Sequence, residues 1–215
     1  MLTTLEKKDL VIVIAERLEK NNNSPETELT HSDERELLIA VCLSAQTTDK
    51  KVNEVTPELF RKYNSWESLS QANVDDVIKI IRPVNFHKGK ADRLIKAARF
   101  IIENFKGKIP NTIEDLIKIP GVARKSANVI LNEVFDKAEG LVVDTHVIRL
   151  SNRLGLTALK DPKKIEKELM DILPKNYWRN FSANLVLHGR YICKAKKPFC
   201  ENCFLNDICP SAFRV

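Results

Sequence analysis

At 215 residues, with 35 Lys and Arg against 29 Asp and Glu and a formal charge of +6, the chain can form one large or two small cores without staples. Its pI near 9.0 favours a polyanionic partner. No apolar run of about 18 residues and no secretory leader is legible, so a soluble, cytoplasmic protein is expected, without a helical membrane span. Five cysteines, four of them between Cys193 and Cys209, are too clustered for a secreted disulfide framework and read instead as a metal site.

Taken in order, Leu2 to Glu19 places Leu10, Val13, Ile14 and Leu18 at helical spacing, and Asn21 to Pro25 breaks the helix. Asp33 caps a second helix, Glu34 to Leu43, on which Cys42 is a small buried hydrophobe. Leu43-Ser44-Ala45-Gln46-Thr47-Thr48-Asp49 is a polar break; Thr48 or Asp49 caps the next helix, and a cap is the expected role of Asp49. Helices continue over Val52 to Tyr63, Ser65 to Ser70 and Val74 to Ile81, the last closed by Arg82-Pro83. Val84 to Lys90 forms an aromatic and basic turn into a long helix, Ala91 to Phe105. Two readings of Phe86 are open: a wedge beside cations, such as base-flipping proteins insert into a stack, or a core residue.

The stretch Ile119 to Asn132, IPGVARKSANVILN, is a helical hairpin around Pro120-Gly121. Asn111-Thr112 caps a short helix before the turn, and Ala127, Ile130, Leu131 and Val134 form the apolar face of the helix after it. Lys125, Asn128, Asn132 and Asp136 lie on the opposite face. Arg124 and Lys125 occupy the first turn, where acidic residues are preferred. The placement makes sense if a phosphate binds there, held by backbone N–H groups, the helix dipole and Arg124. The same field disfavours an ammonium on Lys125, the condition in which a lysine serves as a nucleophile.

Asp144, in Val143-Asp144-Thr145-His146-Val147, caps a helix through Leu154, a role compatible with catalysis. Asp161-Pro162 starts another helix and Trp178 to Tyr191 forms the last. No segment alternates with period two for long, so the fold class is all-α. The tail reads C-x6-C-x2-C-x5-C from Cys193 through Cys200 and Cys203 to Cys209. By chemistry alone it takes an iron-sulfur centre or zinc, and iron-sulfur is favoured because only Cys200 and Cys203 form the close pair usual in zinc modules.

The hairpin, the VDTHV segment, the LSAQTTD break and the LHGRY-led cysteine spacing together resemble the endonuclease III family of helix-hairpin-helix DNA glycosylases over nearly the whole chain. The resemblance implies a six-helix barrel from 28 to 138, with the hairpin at about 112–136. It also implies a 4Fe-4S domain of 1–27 with 139–215, its cluster loop at 193–209. It implies that Lys125 attacks the sugar C1′, that Asp144 assists across the cleft, and that Gln46 enters the gap left by a flipped base. The hairpin at Gly121, Val122, Ala123 and Arg124 would hold DNA, and Lys194, Lys196 and Lys197 would touch its backbone.

Two departures from the family stand out: Ala123 replaces a usual glycine, where helical φ is expected to tolerate the methyl, and Asn85-Phe86 replaces a usual Gly-Leu. The implied protein is a monomeric, nucleoid-associated glycosylase and abasic-site lyase acting on double-stranded DNA with damaged pyrimidines or abasic sites. Rivals are an adenine or mismatch thymine/uracil glycosylase of the same fold and a non-catalytic DNA-binding iron-sulfur protein. Lys125 and Asp144 together argue against the last.

Overall fold

The computed structural model describes residues 3–21 and 27–215, and the regular structure among them is helical. The expected helix start at Leu2 and the break at Asn22 to Pro25 lie outside the described residues. The chain divides into two compact units, Thr27–Lys137 and a second formed from Met1–Glu26 with Ala138–Val215.

The continuous unit is built around α2 (Glu34–Ser44). Asp33 caps it, accepting from Glu36 N at 2.7 Å, and Leu37 to Leu43 are all buried. A helix apolar on every side belongs in the middle of a bundle. Accordingly α3 (Asp49–Lys62), α6 (His87–Phe105) and α8 (Arg124–Phe135) pack on α2, α4 (Trp66–Ser70) and α5 (Val74–Ile80) pack on α6, and α7 (Ile113–Leu116) packs on α8. Thr48, Ser65, Asn73 and Thr112 each accept a first-turn N–H. Thr48 rather than Asp49 is therefore the cap of α3, and Asp49 is that helix's first residue. The long helix begins at His87 instead of Ala91 and takes in Gly89 and Lys90, because its start is fixed by contacts outside the helix and not by a local cap.

In the other unit, α1 (Thr4–Asn21) packs on α10 (Pro162–Ile172) and α11 (Trp178–Tyr191), and α9 (Thr145–Arg153) packs on α11. The buried stripe of α1 is Val11, Ile14, Ala15 and Leu18; Val13, expected inside, is 37% exposed. The run LVIVIA is apolar at every position, so spacing alone leaves the stripe free to rotate by a residue. Asp161 caps α10 with Pro162 at its start, as the dipeptide predicts. The crossing of α9 and α11 is close: a β-carbon on Gly189 would lie 2.8 Å from His146 Nδ1 and 3.1 Å from His146 Cβ. Packing, not backbone conformation, demands that glycine.

Candidate functional site

In the hairpin, Val122 N donates to Ile119 O at 3.0 Å and Gly121 takes φ 91°, the arrangement of a type II turn with Pro and Gly in its two central positions. A β-carbon at Gly121 would meet only ordinary contacts, so here the positive φ calls for glycine. Beneath the turn the Cys42 thiol lies 3.7 Å from Gly121 O, and burial pushes its pKa up to about 12. Cys42 is a packing residue, as expected.

Ala123 is the N-cap of α8, at φ −91° and ψ 167°. It is extended rather than helical, a region equally open to a β-carbon. It supplies no side-chain hydrogen bond, no acidic residue comes after it in the first turn, and Arg124 and Lys125 are both exposed. A twelve-residue helix with no side-chain cap and cations in its first turn can receive an anion from outside. Behind this end, Asn128 (1% exposed) and Asn132 (8%) are buried, so the polar row of α8 reaches water only through Lys125 and Asp136.

The turn after α2 presents exposed Gln46 at φ 56°. The turn before α6 presents Phe86, 67% exposed at φ 58°, which removes Phe86 from the core. The two turns adjoin, Asn85 Nδ2 donating to Gln46 O at 2.6 Å.

In the other unit Asp144 caps α9, one carboxylate oxygen accepting from His146 N at 2.8 Å and Val147 N at 2.9 Å. Further along α9 two arginines grip the start of the cysteine segment. Arg149 Nη2 donates to Gly189 O at 2.8 Å and Cys193 O at 3.0 Å. Arg153 donates to Lys194 O at 2.8 Å and Ala195 O at 3.0 Å, and its Nη1 lies 3.3 Å from Cys193 Sγ. Lys194, Lys196 and Lys197 are exposed on this loop, with Lys194 Nζ 4.7 Å over the Phe199 ring.

Cys193, Cys200, Cys203 and Cys209 line one cavity. Four cysteines on one cavity are a thiolate donor set that suits an iron-sulfur centre. Burial pushes the Cys203 and Cys209 thiols up, so holding them as thiolates takes a cationic centre. His188 Nε2 lies 3.3 Å from Cys203 Sγ, and burial pushes the His188 pKa down to about 4. The ring is therefore neutral at pH 7, and with its proton on Nε2 it donates to that sulfur. Donor set and surroundings fit an iron-sulfur cluster.

Over residues 39–175 the chain matches the family described as HhH-GPD superfamily base excision DNA repair protein, and over residues 193–209 the iron-sulfur binding domain of endonuclease III. It is 46% identical over 177 residues to the endonuclease III of Synechocystis sp., covering 82% of this chain and 81% of that one. The chain belongs to the endonuclease III family. A solved structure of a trapped endonuclease III–DNA covalent intermediate superposes with a TM-score of 0.90 at 36% identity, over 99% of this chain and 98% of that one. A thermostable thymine-DNA glycosylase shares the fold, with a TM-score of 0.82 at 21% identity over 96% of this chain and 97% of that one. The all-α helix-hairpin-helix fold and the 4Fe-4S segment are those of the endonuclease III family.

Several residues that shape the family site here are not singled out by motif spacing. Arg149 and Arg153 stand one helical turn apart behind VDTHV, a signal available in the sequence. Lys90 gives none, and the contacts of Asn85 and His188 are not legible from the motifs that contain them, because the partners are distant in the chain.

Proposed function

We propose that this endonuclease III family protein removes oxidised pyrimidines from double-stranded DNA and cleaves the resulting abasic site, with Lys125 as nucleophile and Asp144 assisting. Membership of the family makes it a DNA glycosylase and abasic-site lyase of base excision repair. The observation that carries the assignment to residues is the exposed Lys125 on the first turn of a helix with no side-chain cap. A phosphate held there by N–H groups and Arg124 brings a sugar to the amine.

In the reading, neutral Lys125 attacks C1′ while the base departs with the electrons of the glycosidic bond and gains a proton. The sugar ring then opens, C1′–O4′ breaking and O4′ taking a proton, so that the new C1′–N bond becomes an iminium, which acidifies the C2′ protons. Loss of one proton expels the 3′ phosphate, and water then frees the aldehyde and restores the amine. The Asp144 carboxylate lends negative charge to the cationic sugar. Gln46 and Phe86 occupy the space of the flipped base, and Gly121, Val122, Ala123 and Arg124 hold the backbone.

A 4Fe-4S cluster on Cys193, Cys200, Cys203 and Cys209 supplies a rigid cross-link that orders the loop of Lys194, Lys196 and Lys197. Thr27–Lys137 is read as the helix-hairpin-helix domain and the other unit as the cluster domain. The protein is read as a monomer working at the nucleoid in the cytoplasm. The test is borohydride reduction during incubation with duplexes carrying thymine glycol, an abasic site or G·T. A covalent complex mapping to Lys125 on the first two is expected; trapping at another amine, or turnover of G·T alone, overturns the reading.

A further inference from the structure

Gln46 and Phe86 share two uncommon properties: both are exposed, and both hold positive φ without being glycine. A left-handed backbone is strained for an L-residue, and such conformations persist only where the surroundings over-determine them. The surroundings here are two side chains at the start of α6. Lys90 is 5% exposed, and its ammonium donates to Leu43 O at 2.7 Å, Ala45 O at 2.6 Å and Thr47 Oγ1 at 3.0 Å. Three donors meet three acceptors, at the C-terminal end of α2 where a cation is favoured. Asn85 adds its Nδ2 to Gln46 O at 2.6 Å and its backbone N to Thr47 Oγ1 at 3.3 Å. A buried ammonium with no carboxylate among these partners is costly. Hydrogen bonds from a charged donor offset that cost only when all are made. Lys90 is thus committed to the Gln46 turn.

We infer that Asn85 and Lys90 are positioning residues that clamp the Gln46 turn to the Phe86 turn, so that the two side chains enter a DNA stack as one preset pair instead of two independent loops. The inference rests on the glycosylase reading, in which Gln46 and Phe86 meet DNA. Pre-alignment removes the ordering cost that two loose loops would incur on binding.

The experiment uses full-length protein and a duplex bearing a stable abasic analogue with 2-aminopurine in the opposite strand, whose fluorescence rises on unstacking whether or not any bond is cleaved. Asn85→Ala is expected to raise the protein concentration for the half-maximal signal about three- to tenfold, the worth of one modest hydrogen bond, with a thermal midpoint lowered by no more than about 5 °C. In a Gln46→Ala background, where no pair is left to align, the same substitution should shift it less than about twofold. Lys90→Met strands three acceptors and can fail to fold, so Asn85→Ala carries the test. An equal factor in both backgrounds, no effect of Asn85→Ala, or a wild-type protein that leaves the fluorescence flat each overturns the clamp. Borohydride trapping judges the glycosylase chemistry separately.

Discussion

Two helix starts, one in each unit, solve the same problem in opposite ways. α9 is closed from within, Asp144 taking two of its first N–H groups. α8 begins at Ala123 with no side-chain cap, and the next two residues are cations. An N-cap side chain stabilises a helix by about 0.5–2 kcal/mol relative to alanine, and cations in the first turn cost about 0.3–1 kcal/mol more. The chain accepts that loss at α8 and avoids it at α9. One start is open at its end and flanked by cations; the other is complete and carries a carboxylate.

The sharpest way to break this contrast is at Lys125. Lys125→Gln should remove strand cleavage by on the order of a thousandfold or more, while binding to an abasic duplex stays within a few-fold, since Arg124 and the N–H groups remain. Strong loss of binding in a gel-shift titration would mean that Lys125 only holds DNA. At α9 the expected effects separate: Asp144→Asn keeps a good cap and should leave the unfolding midpoint almost unmoved, whereas Asp144→Ala should cost about 1 kcal/mol. Turnover should fall in both. Full activity in Asp144→Asn would leave α9 with a cap and nothing more.

Neutralising Lys194, Lys196 and Lys197 together tests whether the α9 side meets DNA through the loop that Arg153 grips. The slope of log affinity against log salt should flatten by up to about 0.9 per lost phosphate contact, and an unchanged slope would make them plain surface lysines. The smallest effect is expected at Ala123. Ala123→Ser supplies the missing cap, so thermal stability should rise by about 0.5–1 kcal/mol while DNA affinity falls a few-fold, the hydroxyl competing for the N–H groups. Gains in both would contradict an α8 start shaped for an external anion.

Legibility in the sequence divides along the same line, between local and distant causes. The caps at Asp33, Thr112, Asp144 and Asp161 are legible because a cap is decided within four residues. Pro120-Gly121 is legible because both residues dictate backbone angles. The start of α6 is not: Phe86 has no capping side chain, and what fixes it is Lys90 reaching residues 45 and 47 positions before it. Asn128 and Asn132 look like a solvated face by type and are buried. Phe86, open between wedge and core, is removed from the core by its exposure, which no spacing rule encodes. The cysteine spacing points to a cluster; that Arg153 touches Cys193 and His188 touches Cys203 emerges only when α9 and α11 pack.

The division of the chain also has a consequence for biosynthesis. Thr27–Lys137 is continuous, whereas the other unit joins the first residues to the last. The stripe Val11, Ile14, Ala15 and Leu18 of α1 finds its partners on α10 and α11. At about 5–20 residues per second, α1 leaves the ribosome on the order of ten seconds or more before α11 exists. The hairpin unit can fold in that interval, while the apolar stripe of α1 stays unpartnered and Cys193 to Cys209 are still to be made. A cluster held by all four cysteines can therefore form only after the partners of α1 exist, and until then that stripe is the surface most open to wrong contacts.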